Sequence, residues 1–211
     1  MVADAQTLTA DGFELSAPSG LAYAAKMDGM PDDGALMLLY GDGDVAAFET
    51  LYRRHNDALY RYLLRLSRSP DAAEDIFQEV WSKIIRARQT YRPTAQFKTF
   101  LYRVARNCFI DYIRRNRRHE QTVELAPEHQ PDPGELPDAL TERSLARRRL
   151  AAALLELPDE QRDVFLLREE GGFSLEQIAS ITDSNRETVK SRLRYAVNKL
   201  RAAIDDPVEV S

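Results

Sequence analysis

Cysteine is almost absent from this chain of 211 residues: Cys108 is the only one. No intrachain disulfide can form, and no cysteine-rich metal site can be assembled. Histidine is nearly as scarce, and His55, His119 and His129 stand at no metal-ligand spacing to one another. Neither a metal nor a cofactor is expected. No apolar run approaches the ~18 residues that a membrane helix needs. The N-terminus has no basic start followed by an apolar run, so a secretory signal is not expected. The expectation is a soluble, cytoplasmic protein with no membrane insertion. Strand signals are nearly missing, and no internal repeat is evident. With 44% hydrophobic residues, the chain holds enough apolar material for one large domain or two small ones.

Charge is present but unevenly spread. The formal net charge of -5 says nothing by itself about a nucleic-acid partner. Between Arg86 and Arg118, however, ten Lys or Arg stand against one acid, Asp111. Residues 1–50 hold nine acids and one base, Lys26, and residues 119–141 hold six acids and no base. A basic block therefore lies between two acidic flanks.

The first ~35 residues are rich in glycine, proline and acids with poor periodicity, which predicts a mostly disordered acidic arm with at most a weak helix around Leu21 to Met27. Helical spacing then dominates. Residues 44–68 form one helix with Asp44 as its cap, Ser69-Pro70-Asp71 break it, and a second helix runs to the loop before Pro93. Phe97 to Arg118 makes a third. Residues 119–141 carry four prolines and one glycine among the acids, the composition of a linker. A second helical set follows at roughly 142–156, 158–169, 174–182 and 186–204. The fold class is all-α: two small helical domains, 36–118 and 142–206, joined by a flexible acidic linker, with a tail at 207–211.

Three helical faces carry the functional signal. In DAAEDIFQEVWSKII, Asp71 to Ile85, the residues Ala73, Ile76, Phe77, Val80, Trp81 and Ile84 fall on one side. Asp71, Asp75, Gln78 and Ser82 fall nearly opposite, with Glu79 beside them. This acidic strip reads as a solvated face, a partner-docking face or, least well supported, a site of metal or acid–base chemistry. In FKTFLYRVARNCFIDYIRRNRR, Arg103, Arg106, Ile110, Arg114 and Arg117 share a stripe, with Asn107 at its edge. Lys98 lies at the start of this helix. Arg and Asn suit phosphates and base edges. Tyr91, Arg92 and Phe97 in the preceding loop offer rings beside cations, suited to stacking on an unpaired base. Each ring taken singly reads more readily as core. The stripe lacks the exposed apolar side that membrane insertion would need.

The third face lies in FSLEQIASITDSNRETVKSRLRYAVNKLRAAI, Phe173 to Ile204. Ser174 and Gln177 form a capping box, and Phe173 and Ile178 a hydrophobic staple. Thr182-Asp183-Ser184 makes a turn, and Asn185 caps a helix that begins at Arg186. Arg186, Glu187, Thr188, Lys190, Ser191 and Arg194 lie on its outer side near the N-terminus, where a recognition helix meets the major groove. LPDEQRDVFLLREEGG, with Pro158 at its start and Gly171 at its end, reads as a supporting helix.

These residues resemble the extracytoplasmic-function (group 4) sigma factors of bacterial RNA polymerase. The resemblance is carried by AEDIFQEVW at 73–81, FKTFLYRVARNCFIDYIRR at 97–115, and LPDEQRDVFLL with FSLEQIA and ETVKSRLRYAVNKLR. It implies a sigma-2-like domain whose strip, Asp71, Asp75, Gln78, Glu79 and Ser82, docks on the β′ coiled coil of core RNA polymerase. It implies that Lys98, Arg103, Arg106, Asn107, Ile110, Arg114 and Arg117 meet the promoter −10 element, while the loop of Tyr91 and Arg92 holds a flipped base. It implies a sigma-4-like helix-turn-helix domain on the −35 element and the β flap, and an acidic linker in the RNA exit channel. An anti-sigma protein or other regulator is a further implied partner. Two departures stand out. Phe100 replaces a frequent tryptophan, and Thr182-Asp183-Ser184 replaces an apolar–Gly–apolar turn, so Asp183 is expected in a left-handed backbone. The acidic arm is expected to shield the basic face of the free protein.

Two other classes stay open at this point. One is a stand-alone helix-turn-helix regulator with an N-terminal interaction or sensing domain. The other is an enzyme such as a metal-dependent nuclease using the carboxylates at 71–79; missing histidines and active-site loops speak against it, and no catalytic residue is assigned.

Overall fold

The computed structural model describes residues 31–120 and 142–205. The acidic arm up to residue 30, the helix at Leu21 to Met27, most of the linker and the tail lie outside the described residues. Eight helices are present among the described residues, and no strand: α1 Asp33–Gly41, α2 Val45–Ser67, α3 Pro70–Ala87, α4 Phe97–Glu120, α5 Glu142–Leu155, α6 Asp159–Glu169, α7 Leu175–Thr182 and α8 Arg186–Asp205.

Local chemistry sets these boundaries. Asp32 accepts the Ala35 amide at 2.7 Å and starts α1, slightly before the expected end of the arm. Asp44 accepts the amides of Ala46 and Ala47 and starts α2, as its position predicts. The α2 helix ends where Arg68 turns left-handed at φ 62°, and Ser69 followed by Pro70 begins α3. Between α6 and α7, Gly172 takes φ 64°. A side chain at Gly171 would meet the Phe173 ring at 2.5 Å, so the Gly-Gly pair permits the tight reversal.

The first module packs α2 against α1 and α3, and α3 against α4. Leu51, Leu59, Leu63, Leu66, Ile76 and Ile84 are fully buried there, each contributing roughly 1.5–3 kcal/mol of transfer free energy. The second module sets α6 against α7 and α8, and lays α5 along α8. The two modules also touch directly. α2 packs on α6, and α4 packs on α7. Val164, Leu166, Leu167, Phe173, Ile178 and Ile181 join the same core as Tyr62 and Tyr102. The Tyr102 and Phe173 rings meet edge to face, 4.9 Å between centroids. Spacing along the chain foresees two modules but not this shared core.

The α1–α2 pairing depends on Asp33. Its carboxylate lies 2.7 Å from His55 Nε2 and accepts from Arg54 Nη1 at 2.7 Å. The His55 hydrogen bond holds the carboxyl below its ordinary 3.8, against the opposing effect of burial and with help from Arg54. A depressed carboxyl contributes stability above its unfolded value and loses it as pH falls through the folded one. Asp33→Asn is therefore expected to cost about 1–2 kcal/mol near neutral pH. In thermal melts, the gap from wild type should shrink as pH drops below 3.8.

Candidate nucleic-acid interface

The α3 strip is exposed as expected. Asp71, Asp75, Gln78 and Ser82 face solvent, while Ala73, Ile76, Val80, Trp81 and Ile84 are buried on the other side. Glu79 is half-buried and tied down: Arg115 of α4 donates to it at 2.7 Å, and Lys83 lies 3.1 Å away. Burial would raise its carboxyl, but these two cations outweigh burial and lower it. The strip is thus a rigid anionic surface, buttressed at one edge by the basic helix. Among the described residues no group of three or more His, Cys, Asp or Glu is placed to hold a metal ion.

The α4 stripe is formed, but its first half is occupied. Arg103 donates through Nη2 and Nε to the Ser180 carbonyl of α7, at 2.8 and 3.1 Å. Arg106 Nε donates to Asp163 Oδ2 of α6 at 2.8 Å. Lys98 Nζ donates to the Gly171 carbonyl at 2.7 Å and lies 5.1 Å from the Phe173 ring centroid. Farther along, Asn107 and Arg114 are exposed, Ile110 is half-buried, and Arg117 lies within the helix. Arg114 is 3.8 Å from Asp111.

At the loop, Tyr91 follows the ring-by-ring reading as core rather than the base-stacking one. Tyr91 is 5% exposed, with its ring packed against Phe97 and Phe100. In this arrangement it is core and has no free face for a base. The physical reason is that three rings bury one another at the α3–α4 corner, a larger gain than leaving one in water. Arg92 next to it is exposed, donating to the Tyr91 carbonyl at 2.9 Å.

Between the modules sits a buried polar node. Tyr62 donates its hydroxyl to Asp163 Oδ1 at 2.7 Å, and Arg106 approaches the other carboxylate oxygen. Burial pushes the Asp163 carboxyl up, against the lowering effect of Tyr62, Arg106 and Arg162. Burial likewise pushes the Tyr62 phenol well up, assisted by the Asp163 charge. Arg162, 1% exposed, donates to the carbonyls of Leu66 and Leu157 and to Asp159. At the rim Arg65 pairs with Glu170, and Gln177 donates to Gln96 at 3.0 Å. The Nε atoms of Arg68 and Arg162 are buried with no acceptor among the described residues, each an expense of about 1–3 kcal/mol.

Reading α6 as a supporting helix missed this node. The signal was present: Asp163 stands three and four residues before Leu166 and Leu167, on the same face. A carboxylate on an apolar face needs a buried partner.

The helix-turn-helix matches the sequence closely. The Ser174–Gln177 capping box is complete. Asp183 takes φ 50° and ψ 47°, the left-handed turn its position requires. Asn185 Oδ1 accepts the Thr188 amide at 2.7 Å and starts α8. Arg186, Glu187, Lys190 and Arg194 are exposed, while Thr188 and Ser191 are half-buried. Arg186 is held by Glu176 at 2.6 Å, which fixes the first cation of α8 on α7. The α8 face is open, unlike the first half of α4.

Comparison with known proteins agrees with both modules. The Sigma-70 region 2 family model matches residues 51–119, and the Sigma-70 region 4 model matches residues 147–200. The ECF RNA polymerase sigma factor SigL of Mycobacterium tuberculosis is 34% identical over 164 residues, spanning 77% of this chain and 92% of that protein. The ECF RNA polymerase sigma factor SigE of Mycolicibacterium smegmatis is also 34% identical, over 165 residues. That match spans 75% of this chain and 63% of the relative. Among solved structures, the sigma factor RpoE in complex with the anti-sigma factor NepR from Bartonella quintana superposes with a TM-score of 0.61 at 26% identity. The superposition covers 78% of this chain and 99% of that one. With the acidic strip, the arginine stripe and the helix-turn-helix in place on two matched regions, the chain belongs to the extracytoplasmic-function sigma factors of the sigma-70 family.

Proposed function

We propose that the chain is a cytoplasmic, non-enzymatic specificity subunit that binds core RNA polymerase and directs it to promoters. The exposed acid strip of α3 docks on the β′ coiled coil, through Asp71, Asp75, Gln78, Glu79 and Ser82. The α4 face, from Lys98 to Arg117, meets the −10 element, where the duplex opens. The α8 residues Arg186, Glu187, Thr188, Lys190, Ser191 and Arg194 read or grip the −35 element, with the second module seated on the β flap. Domains bounded at 36–118 and 142–206 divide this labour, and residues 119–141 span between them.

The observation that carries this reading is the pairing, in one chain, of a rigid acidic helix face with two separate basic ones. Unstacking a base costs a few kcal/mol. A chain of net charge -5 needs a large partner to hold the DNA while its local cations act. Phosphate contacts supply affinity, and base contacts supply specificity. A stand-alone regulator is not favoured by the sigma-factor relatives, and it gives the α3 strip no task. An anti-sigma protein or similar regulator is the remaining partner class, in keeping with the NepR-bound RpoE structure.

Run-off transcription on a promoter library, with core polymerase plus or minus this chain, tests the proposal. Discrete transcripts that require the chain are expected. No chain-dependent initiation from any promoter would sink it.

A further inference from the structure

The outer face of α8 carries one acid among its cations. From Arg186 to Arg201 there are six Lys or Arg and a single carboxylate, Glu187. Wound at 3.6 residues per turn, Glu187 stands roughly 160° from the line of Val189, Ala196 and Leu200, which are buried. It is therefore at the centre of the outward face, in the first turn of α8, and its side chain is 73% exposed. The N-terminal residues of a recognition helix are the ones that meet base edges. We infer that Glu187 is a base-reading residue that accepts a hydrogen bond from the N4 amine of a cytosine in the major groove of the −35 element. This role rests on the DNA-binding function of α8 proposed above and names the base it selects.

Chemistry narrows the choice of base. A carboxylate among phosphates lowers affinity for DNA of every sequence. It gains only where a base edge offers a donor, and in the major groove cytosine N4 and adenine N6 do so. Guanine and thymine offer acceptors alone. An ionised carboxylate is acceptor-only. Adenine sets its N7 acceptor beside N6, against the second carboxylate oxygen, whereas cytosine presents N4 with no acceptor of its own beside it. Cytosine is the match.

The carboxylate is also aimed. Arg186 Nε donates to Glu176 Oε1 of α7 at 2.6 Å, and its Nη1 donates to Glu187 Oε1 at 3.4 Å. Lys190 Nζ lies 3.9 Å from Glu187 Oε2. Both contacts to Glu187 are long, so its oxygens remain available to a better-placed donor. Glu176 thus acts through Arg186 as a positioning residue, tying the reading carboxylate to α7. Stabilising the start of α8 would be served by an acid on any side of its first turn. The central outward place is what base reading requires.

The test uses the full chain bound to core polymerase on a promoter library randomised upstream, with bound DNA recovered and sequenced. The wild-type chain is expected to enrich a C·G pair at one upstream position by about tenfold. Glu187→Gln should move the preference there to an A·T pair, because adenine N6 and N7 suit a carboxamide. Glu187→Ala should erase the preference at that position, keep enrichment at the others and bind all sequences slightly more tightly. Glu176→Gln should keep the C·G pair but weaken its enrichment about threefold; unchanged enrichment would overturn the positioning role. Circular dichroism melts report folding, and the near-isosteric Glu187→Gln carries the test if Glu187→Ala is unfolded. Identical base profiles for the wild type and the Glu187 variants would overturn base reading by Glu187 and leave α8 on the −35 element. No upstream enrichment by the wild-type chain would overturn the −35 assignment itself, and the role of Glu187 with it.

Discussion

Asp75→Arg is expected to weaken association with core polymerase by about 100-fold, roughly 2.7 kcal/mol, and to abolish run-off transcription. Asp75 is exposed at the middle of the α3 strip, and it makes no side-chain hydrogen bond or ion pair with other described residues. Its replacement thus costs the fold almost nothing, as surface changes away from special features do. The partner coiled coil must be cationic if it matches this strip. A reversed charge at the centre then combines a lost attraction with a new repulsion, which mismatched interfaces penalise by several kcal/mol. Glu79 is a poorer probe. It is bound internally by Arg115 and Lys83, so Glu79→Arg would disturb the α3–α4 contact as well. Sedimentation of labelled chain with core, beside thermal melts of the chain alone, separates the two effects. The melting temperature of Asp75→Arg should stay within ~2 °C of wild type.

The second large effect is expected on α8. Lys190→Ala with Arg194→Ala should lower affinity for duplex −35 DNA by about 30- to 100-fold and flatten its salt dependence. Each lost phosphate contact removes about 0.9 from the slope of log K against log salt. Both side chains are exposed. Their internal ties are slight: Lys190 lies 3.9 Å from Glu187, and the Arg194 guanidinium 5.4 Å from the Tyr195 ring centroid. Surface pairs of this kind contribute about 0–1 kcal/mol, so folding should be unaffected. Filter binding across a salt series checks the slope. If Lys190 or Arg194 instead reads a base, the loss becomes sequence-dependent and the slope barely moves.

Sequence reading succeeded where a signal is local. The α3 strip follows from a 100° wheel and needs only that Ile76, Val80 and Ile84 be buried, which they are. The α7–α8 turn follows from Ser174, Gln177, Asp183 and Asn185, each acting within four residues of itself. The α4 stripe was legible for the same reason. What covers it was not. Tyr62 and Asp163 are 101 positions apart, and no periodicity within either helix announces that they will meet. The aromatic loop stayed open between two readings for a different cause. Tyr91 beside Arg92 offers the same residues to a base or to a core, and Phe97 and Phe100 decide for the core only once α3 and α4 have packed.

The central claim is that this chain holds polymerase through α3. The most direct measurement is a fluorescence-anisotropy titration of the labelled full chain with purified core RNA polymerase, run in parallel on Asp75→Arg. Saturable one-to-one binding by the wild-type chain, shifted about 100-fold in the variant, is the predicted result. No association, or equal association by both chains, would contradict it.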